Sequence, residues 1–154
     1  MLGIARNIME SGSKPARSII FAAFSGEENG MRGSRYFVAN SPVPLRNIYT
    51  NINFEMTGHS EYLGKNKYYM TGCKVSELDD LIGKYNKKTE WTLVDTIKLS
   101  DQLFFASDNI SFSRVQSLAG KNAGVPSGTF ATTAMADYIH SPRDEARYFD
   151  FENM

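Results

Sequence analysis

Six consecutive apolar residues, Ile19-Ile20-Phe21-Ala22-Ala23-Phe24, run into Ser25-Gly26 and then into two adjacent glutamates, Glu27 and Glu28. An apolar run of that length without polar alternation reads as a strand covered on both faces, the kind found in parallel or mixed sheets. The serine and glycine end it, and the carboxylates fall where the sheet gives way to a helix. In open α/β folds that edge is where sites are built. Adjacent carboxylates repel, so holding two of them at a sheet edge calls for a positive partner. A metal ion answers that need, with one carboxylate as ligand and the other as proton acceptor. The pair reads equally well as two first-turn acids favoured by the helix dipole.

The rest of the chain alternates in the same way. Residues 2–11 place Leu2, Ile4, Ala5, Ile8 and Met9 at helical spacing, with Gly12 as a C-terminal cap. Strand 17–25 is followed by a helix over 29–39 and a breaker at Asn40-Ser41-Pro42-Val43-Pro44. Further strands are predicted over 47–56, 67–72, 91–97 and 125–132. Residues 76–88 form an amphipathic helix, with Ser76 as N-cap and Leu78, Leu81, Ile82 and Tyr85 on one face. Residues 99–112 read as a polar loop with a short helix, and 149–154 as the opening of another helix. The pattern predicts an α/β fold, a three-layer α/β/α sandwich on a mixed, mostly parallel sheet. A chain of 154 residues suits one domain over 1–154.

Composition narrows the partners. Lys+Arg and Asp+Glu both number 17, giving a formal net charge of zero, which argues against nucleic acid or an anionic membrane. The single Cys73 excludes an intrachain disulfide and any cysteine-based zinc site. It leaves the compartment open, and the first twelve residues lack the pattern of a signal peptide.

Chemistry gathers at four predicted strand ends: Glu27-Glu28, Glu55 at the end of NINFEM, Ser107-Asp108-Asn109 before a short helix, and His140 after the last strand. An acid closing an apolar strand is costly unless paired, although Glu55 could also reach solvent. Asp108 could be a plain N-cap, and a lone histidine is more often a surface or core residue than a ligand. The glutamate pair, the strand-end acid Glu55 and the loop histidine His140 together form a hard-ligand set suited to zinc.

These segments carry a resemblance. The blocks SIIFAAFSGEENGMRGSRYF, NINFEMTG, SDNISF, AGVPSGTF and YIHSPRDE stand in the order found in the dinuclear zinc aminopeptidases of bacterial leucyl-aminopeptidase type, a family that includes glutamate carboxypeptidase and glutaminyl cyclase. SGEENGMRGSRYF is the specific block; the others are weaker singly. The resemblance implies a two-zinc exopeptidase acting on peptide N-termini. It implies that Glu27 is the general base, that Glu28 and His140 ligate one zinc, and that Glu55 ligates the other where the family usually has aspartate. Asn109 stands where the family has histidine. Tyr138 resembles an oxyanion donor, but lies two residues before His140 rather than next to it.

The resemblance also implies a shortfall. The family site has five protein ligands, and its other histidine and its bridging aspartate precede a helix like residues 2–11. The chain is therefore expected to begin inside that helix and to end early. It would hold zinc weakly, be inactive alone, and cover an exposed sheet edge by homo-oligomerisation. A peptide is the expected substrate, and family members are often exported. The alternatives are a non-catalytic scaffold of the same fold and an acyltransferase of glutaminyl-cyclase type.

Overall fold

A computed structural model describes residues 1–94, 100–115, 124–133 and 138–154. Helix α1 spans Leu2–Glu10. Ser11 is its C-cap, and Gly12 follows in the left-handed region at φ 66°. The expected cap therefore falls one residue earlier, and glycine supplies the turn beyond it.

The apolar run 17–25 is not a strand here, contrary to expectation. A strand needs a ladder, and no described residue bonds its backbone as a neighbouring strand. Ile19, Ile20 and Phe21 are each about half exposed, so the run is not covered on both faces. Phe24 packs inward, 5.6 Å from the Phe37 ring and 6.0 Å from Phe112.

Beyond the run the chain folds into a tight turn. The amides of Gly30 and Met31 both donate to the Glu27 carbonyl, Arg32 N–H to Gly26 O, and Gly33 N–H to Ser25 O. Met31 sits at φ 56°, so helix α2 starts at Arg32 and runs to Ala39, three residues later than the expected 29. A Cβ on Gly33 would lie 2.6 Å from Ser25 O and 2.7 Å from Ser25 N. Only glycine lets α2 close on the turn that carries Glu27 and Glu28. Gly33→Ala should therefore cost about 1–3 kcal/mol, the range for forced overpacking. The measurement is the urea midpoint, and an unchanged midpoint would show that the turn yields freely.

Four strands form one sheet in the order β1-β4-β2-β3: β1 Asn51–Phe54, β2 Lys67–Met70, β3 Thr92–Leu93 and β4 Ser127–Ala131. β1 pairs with β4 in parallel, β2 with β3 in parallel, and β2 with β4 antiparallel. The sheet is thus mixed and mostly parallel, as expected. β1 is shorter than 47–56 because Leu45–Asn47 wind into one 3-10 turn. Residues 95–97 of the predicted strand 91–97 lie outside the described residues.

Side chains alternate across this sheet. Phe54, Phe130 and Tyr68 share one face, with ring centroids 5.5 Å apart in each neighbouring pair. Helix α3, Leu78–Asn86, covers part of that face; a Cβ on Gly128 would meet Leu78 Cδ2 at 3.5 Å. Ser76 Oγ accepts from Leu78 N at 3.4 Å, one position before the N-cap Glu77. A cavity of about 450 Å³ opens among these aromatics and lacks every acid discussed below.

The opposite face carries Asn53 and Thr129. Against it lies α5, Asn109–Ser113, which follows the short α4, Ser100–Leu103, and a 3-10 turn at Phe104–Ala106. α2 packs on α5 through Ser34 Oγ to Ser111 Oγ at 2.8 Å and Phe37 to Phe112 at 5.7 Å. Helices therefore flank both faces, giving the α/β/α arrangement. The C-terminal residues form 3-10 turns at Ala146–Tyr148 and Phe151–Asn153 rather than the start of an α-helix. No helix among the described residues is long and apolar enough to cross a membrane.

Candidate metal centre

The four predicted site residues come from three places along the chain. Glu27 and Glu28 ride on the turn before α2. Glu55 follows the last residue of β1, its N–H donating to Phe130 O at 3.3 Å, so it continues the β1–β4 ladder by one rung. The next residue, Met56, takes φ 48°, and its carbonyl accepts from the amides of Thr132 and Thr133. His140 itself sits at φ 58°. Positive φ at non-glycine residues is sparse, and two of the four such positions among the described residues adjoin or hold a site residue.

The fold brings Glu28 and His140 together. His140 Nε2 lies 2.7 Å from Glu28 Oε1 across 112 positions of sequence. Both side chains are largely exposed, so the contact is open to solvent.

Glu27 stands beside this pair. Its pKa is pushed up to about 7, first by burial and then by the charges of Glu28, Glu55 and Asp108. Glu55 is raised in the same sense, mainly by burial, and opposed by a hydrogen bond from Ser107. The Asp108 and Glu28 charges raise it further. Ser107 Oγ donates to Glu55 Oε2 at 2.5 Å.

Asp108 joins the acids through space. It occupies the N-cap position of α5, yet its side chain makes no capping bond. Its Oδ1 is buried and has no hydrogen-bond partner among the described residues. Asn109 is fully buried and bonded at both ends of its amide: Nδ2 donates to Phe104 O at 3.1 Å, and Oδ1 accepts from Thr129 Oγ1 at 2.9 Å. It anchors α5 rather than facing the acids as a donor.

Tyr138 is committed elsewhere. Its hydroxyl donates to Glu61 Oε1 at 2.7 Å and lies 2.9 Å from His59 Nδ1. Burial and the bond to Glu61 push its pKa up to about 12. The buried His59 and the exposed Glu61 carried no site signal in the sequence, because their partner lies 79 and 77 positions away.

Four carboxylates thus crowd together with one histidine. Among the described residues no lysine or arginine forms an ion pair with any of them. Charge of that sign, oxygen and imidazole donors, and the unpartnered Asp108 Oδ1 fit a divalent cation. The fit is in charge and donor type. In number it is short, since no group of three ligating side chains is assembled among the described residues. Two protein donors at one point are fewer than the usual three of a catalytic zinc.

The fold is of the α/β class on a mixed, mostly parallel sheet. The family model for peptidase family M28 matches residues 1–154, and the chain belongs to that family. Its class is that of the metallopeptidases. Neither the characterised proteins nor the solved structures include a match.

Proposed function

We propose that this domain removes N-terminal residues from peptides by zinc-dependent hydrolysis. The observation that carries the reading is the Glu28–His140 contact at 2.7 Å, with Glu27 beside it at a pKa of about 7. Glu28 and His140 would hold one ion and Glu55 the other. When bound, zinc lowers the pKa of water toward ~7 and polarises the scissile carbonyl.

The chain's own residues do the rest. A carboxylate with a pKa near neutrality takes a proton from attacking water and still returns it to a leaving amine. In the metal-free protein Glu27 has that value because burial and three neighbouring acids disfavour its charged form, and a cation held by Glu28 and Glu55 would act in the opposite sense. An ordinary glutamate would be too weak a base for the first transfer.

With two donors at one position and one at the other, the 154-residue chain alone should bind zinc weakly and turn over negligibly. A form with a histidine and an aspartate supplied upstream of Met1 should be active. The test follows peptides with free, acetylated and glutamine N-termini by mass spectrometry, with zinc content measured in parallel. Release of the first residue from free N-termini alone, in the supplemented form, is the expected result. Cyclised glutamine would assign the acyltransferase chemistry instead. Zinc-free protein with no reaction in either form would assign a scaffold.

A further inference from the structure

The hydrogen bond that reaches Glu55 is the last link of a relay whose direction is fixed from its other end. The Phe104 carbonyl can only accept, so the Asn109 amide must turn Nδ2 toward it, at 3.1 Å. Oδ1 of Asn109 then faces Thr129 and can only accept, which claims the Thr129 hydroxyl proton at 2.9 Å. Thr129 Oγ1 is left to accept, and Asn53 Nδ2 donates to it at 3.1 Å. The second Nδ2 proton of Asn53 goes to Ser107 Oγ at 2.7 Å. Ser107 Oγ then has two oxygens within reach of its own proton, Thr129 Oγ1 at 3.4 Å and Glu55 Oε2 at 2.5 Å, and the nearer, carboxylate acceptor takes it.

The placement follows from register. Asn53 and Glu55 are two apart on one strand and share a face. Thr129 is the β4 residue opposite Asn53. Ser107 and Asn109 bracket the start of α5, and Ser107, Asn109 and Thr129 are all fully buried. A buried hydroxyl has no water to fall back on, so the order of the protons is set by the protein alone. Glu55 Oε1 receives no hydrogen bond among the described residues.

We infer that Ser107 is a positioning residue for Glu55, holding Oε2 with an oriented donor so that Oε1 is the oxygen presented to the metal. The inference rests on the reading of Glu55 as a metal ligand given above. Loss of a partner bonded behind a metal ligand typically weakens metal binding ~10–100-fold.

The experiment titrates the 154-residue chain, labelled at the glutamate carboxyl carbons, with cobalt(II) in place of zinc. Dissociation constants are read separately from the Glu55 and Glu28 resonances, which reports binding too weak for other methods. In Ser107→Ala the Glu55 constant should rise at least ~10-fold while the Glu28 constant stays within about threefold. Ser107→Thr, which keeps the hydroxyl, should restore it. Asn53→Asp keeps the side-chain shape but cannot donate, so it draws the Ser107 proton away and should reproduce the alanine result. That variant decides the matter if Ser107→Ala fails to fold. A general loss of structure would shift both resonances together, whereas the inference requires the split. If the Glu55 constant is unchanged in Ser107→Ala and Asn53→Asp while cobalt still shifts Glu55, the positioning role is wrong and the ligand reading stands. If cobalt leaves the Glu55 resonance of the unaltered chain unmoved, the ligand reading fails and takes the inference with it.

Discussion

Glu27→Gln should stabilise the metal-free protein and lower catalysis in the supplemented form by one and the same change. The two effects share one cause. Burial and the charges of Glu28, Glu55 and Asp108 raise the Glu27 pKa from 4.5 to about 7. Between those values the folded protein holds a proton that the unfolded chain has released. Stability contributed by this group is therefore fully present below about 4.5 and is lost as pH rises through about 7. At full strength that difference is worth ~3 kcal/mol; Glu27 is partly open to solvent, and screening reduces it to about 1 kcal/mol. A neutral amide removes the penalty, so the variant should gain stability at pH 8 and show a flatter profile from pH 5 to 7. Thermal unfolding across that range checks it. Catalysis in the supplemented form should fall ~10²–10⁴-fold, the usual worth of a positioned base, with zinc content unchanged. Near-full turnover in Glu27→Gln would exclude it as the base and end the proposed mechanism.

Glu28→Gln and His140→Asn should each strip the first metal position while leaving the fold intact. The replacement at 140 is chosen for its backbone. His140 sits at φ 58°, a region that asparagine tolerates and alanine resists. The Glu28–His140 contact is exposed on both sides, so breaking it should cost well under ~1 kcal/mol of stability. Its value lies in metal binding. Removing a partner behind a ligand costs ~10–100-fold in affinity, and removing the ligand itself should cost at least the upper figure. Competition against a chromophoric chelator, alongside circular dichroism, separates the two quantities. Zinc affinity within a few-fold of the unaltered protein in both variants would exclude this pair as ligands. The contrast with Glu27→Gln, which should keep its metal, separates ligand from base.

Much of the architecture is visible in local patterns because local patterns are what set it. The apolar spacing in 2–11 and 76–88 yields α1 and α3, and the runs around 51–54, 67–70 and 127–131 yield β1, β2 and β4. The delayed start of α2 was not visible. It depends on Met31 adopting φ 56° and on Gly33 meeting Ser25, a contact eight residues away through space. The run 17–25 shows the opposite failure. Its side chains suit a strand covered on both faces, but strand character needs backbone partners, which no sequence window contains.

The site divides along the same line. Residue type and position at strand ends named Glu27, Glu28, Glu55 and His140, because buried or crowded acids are costly wherever they fall. That His140 meets Glu28, and that Tyr138 turns to Glu61 instead of the acids, depends on how a loop 112 positions downstream of Glu28 closes on the sheet. The direction of the Asn109–Thr129–Asn53–Ser107 relay depends on the register of β1 against β4. Side-chain chemistry is a property of each residue and survives in the sequence. Distances and proton directions belong to pairs of residues, and chain closure alone decides which pairs exist.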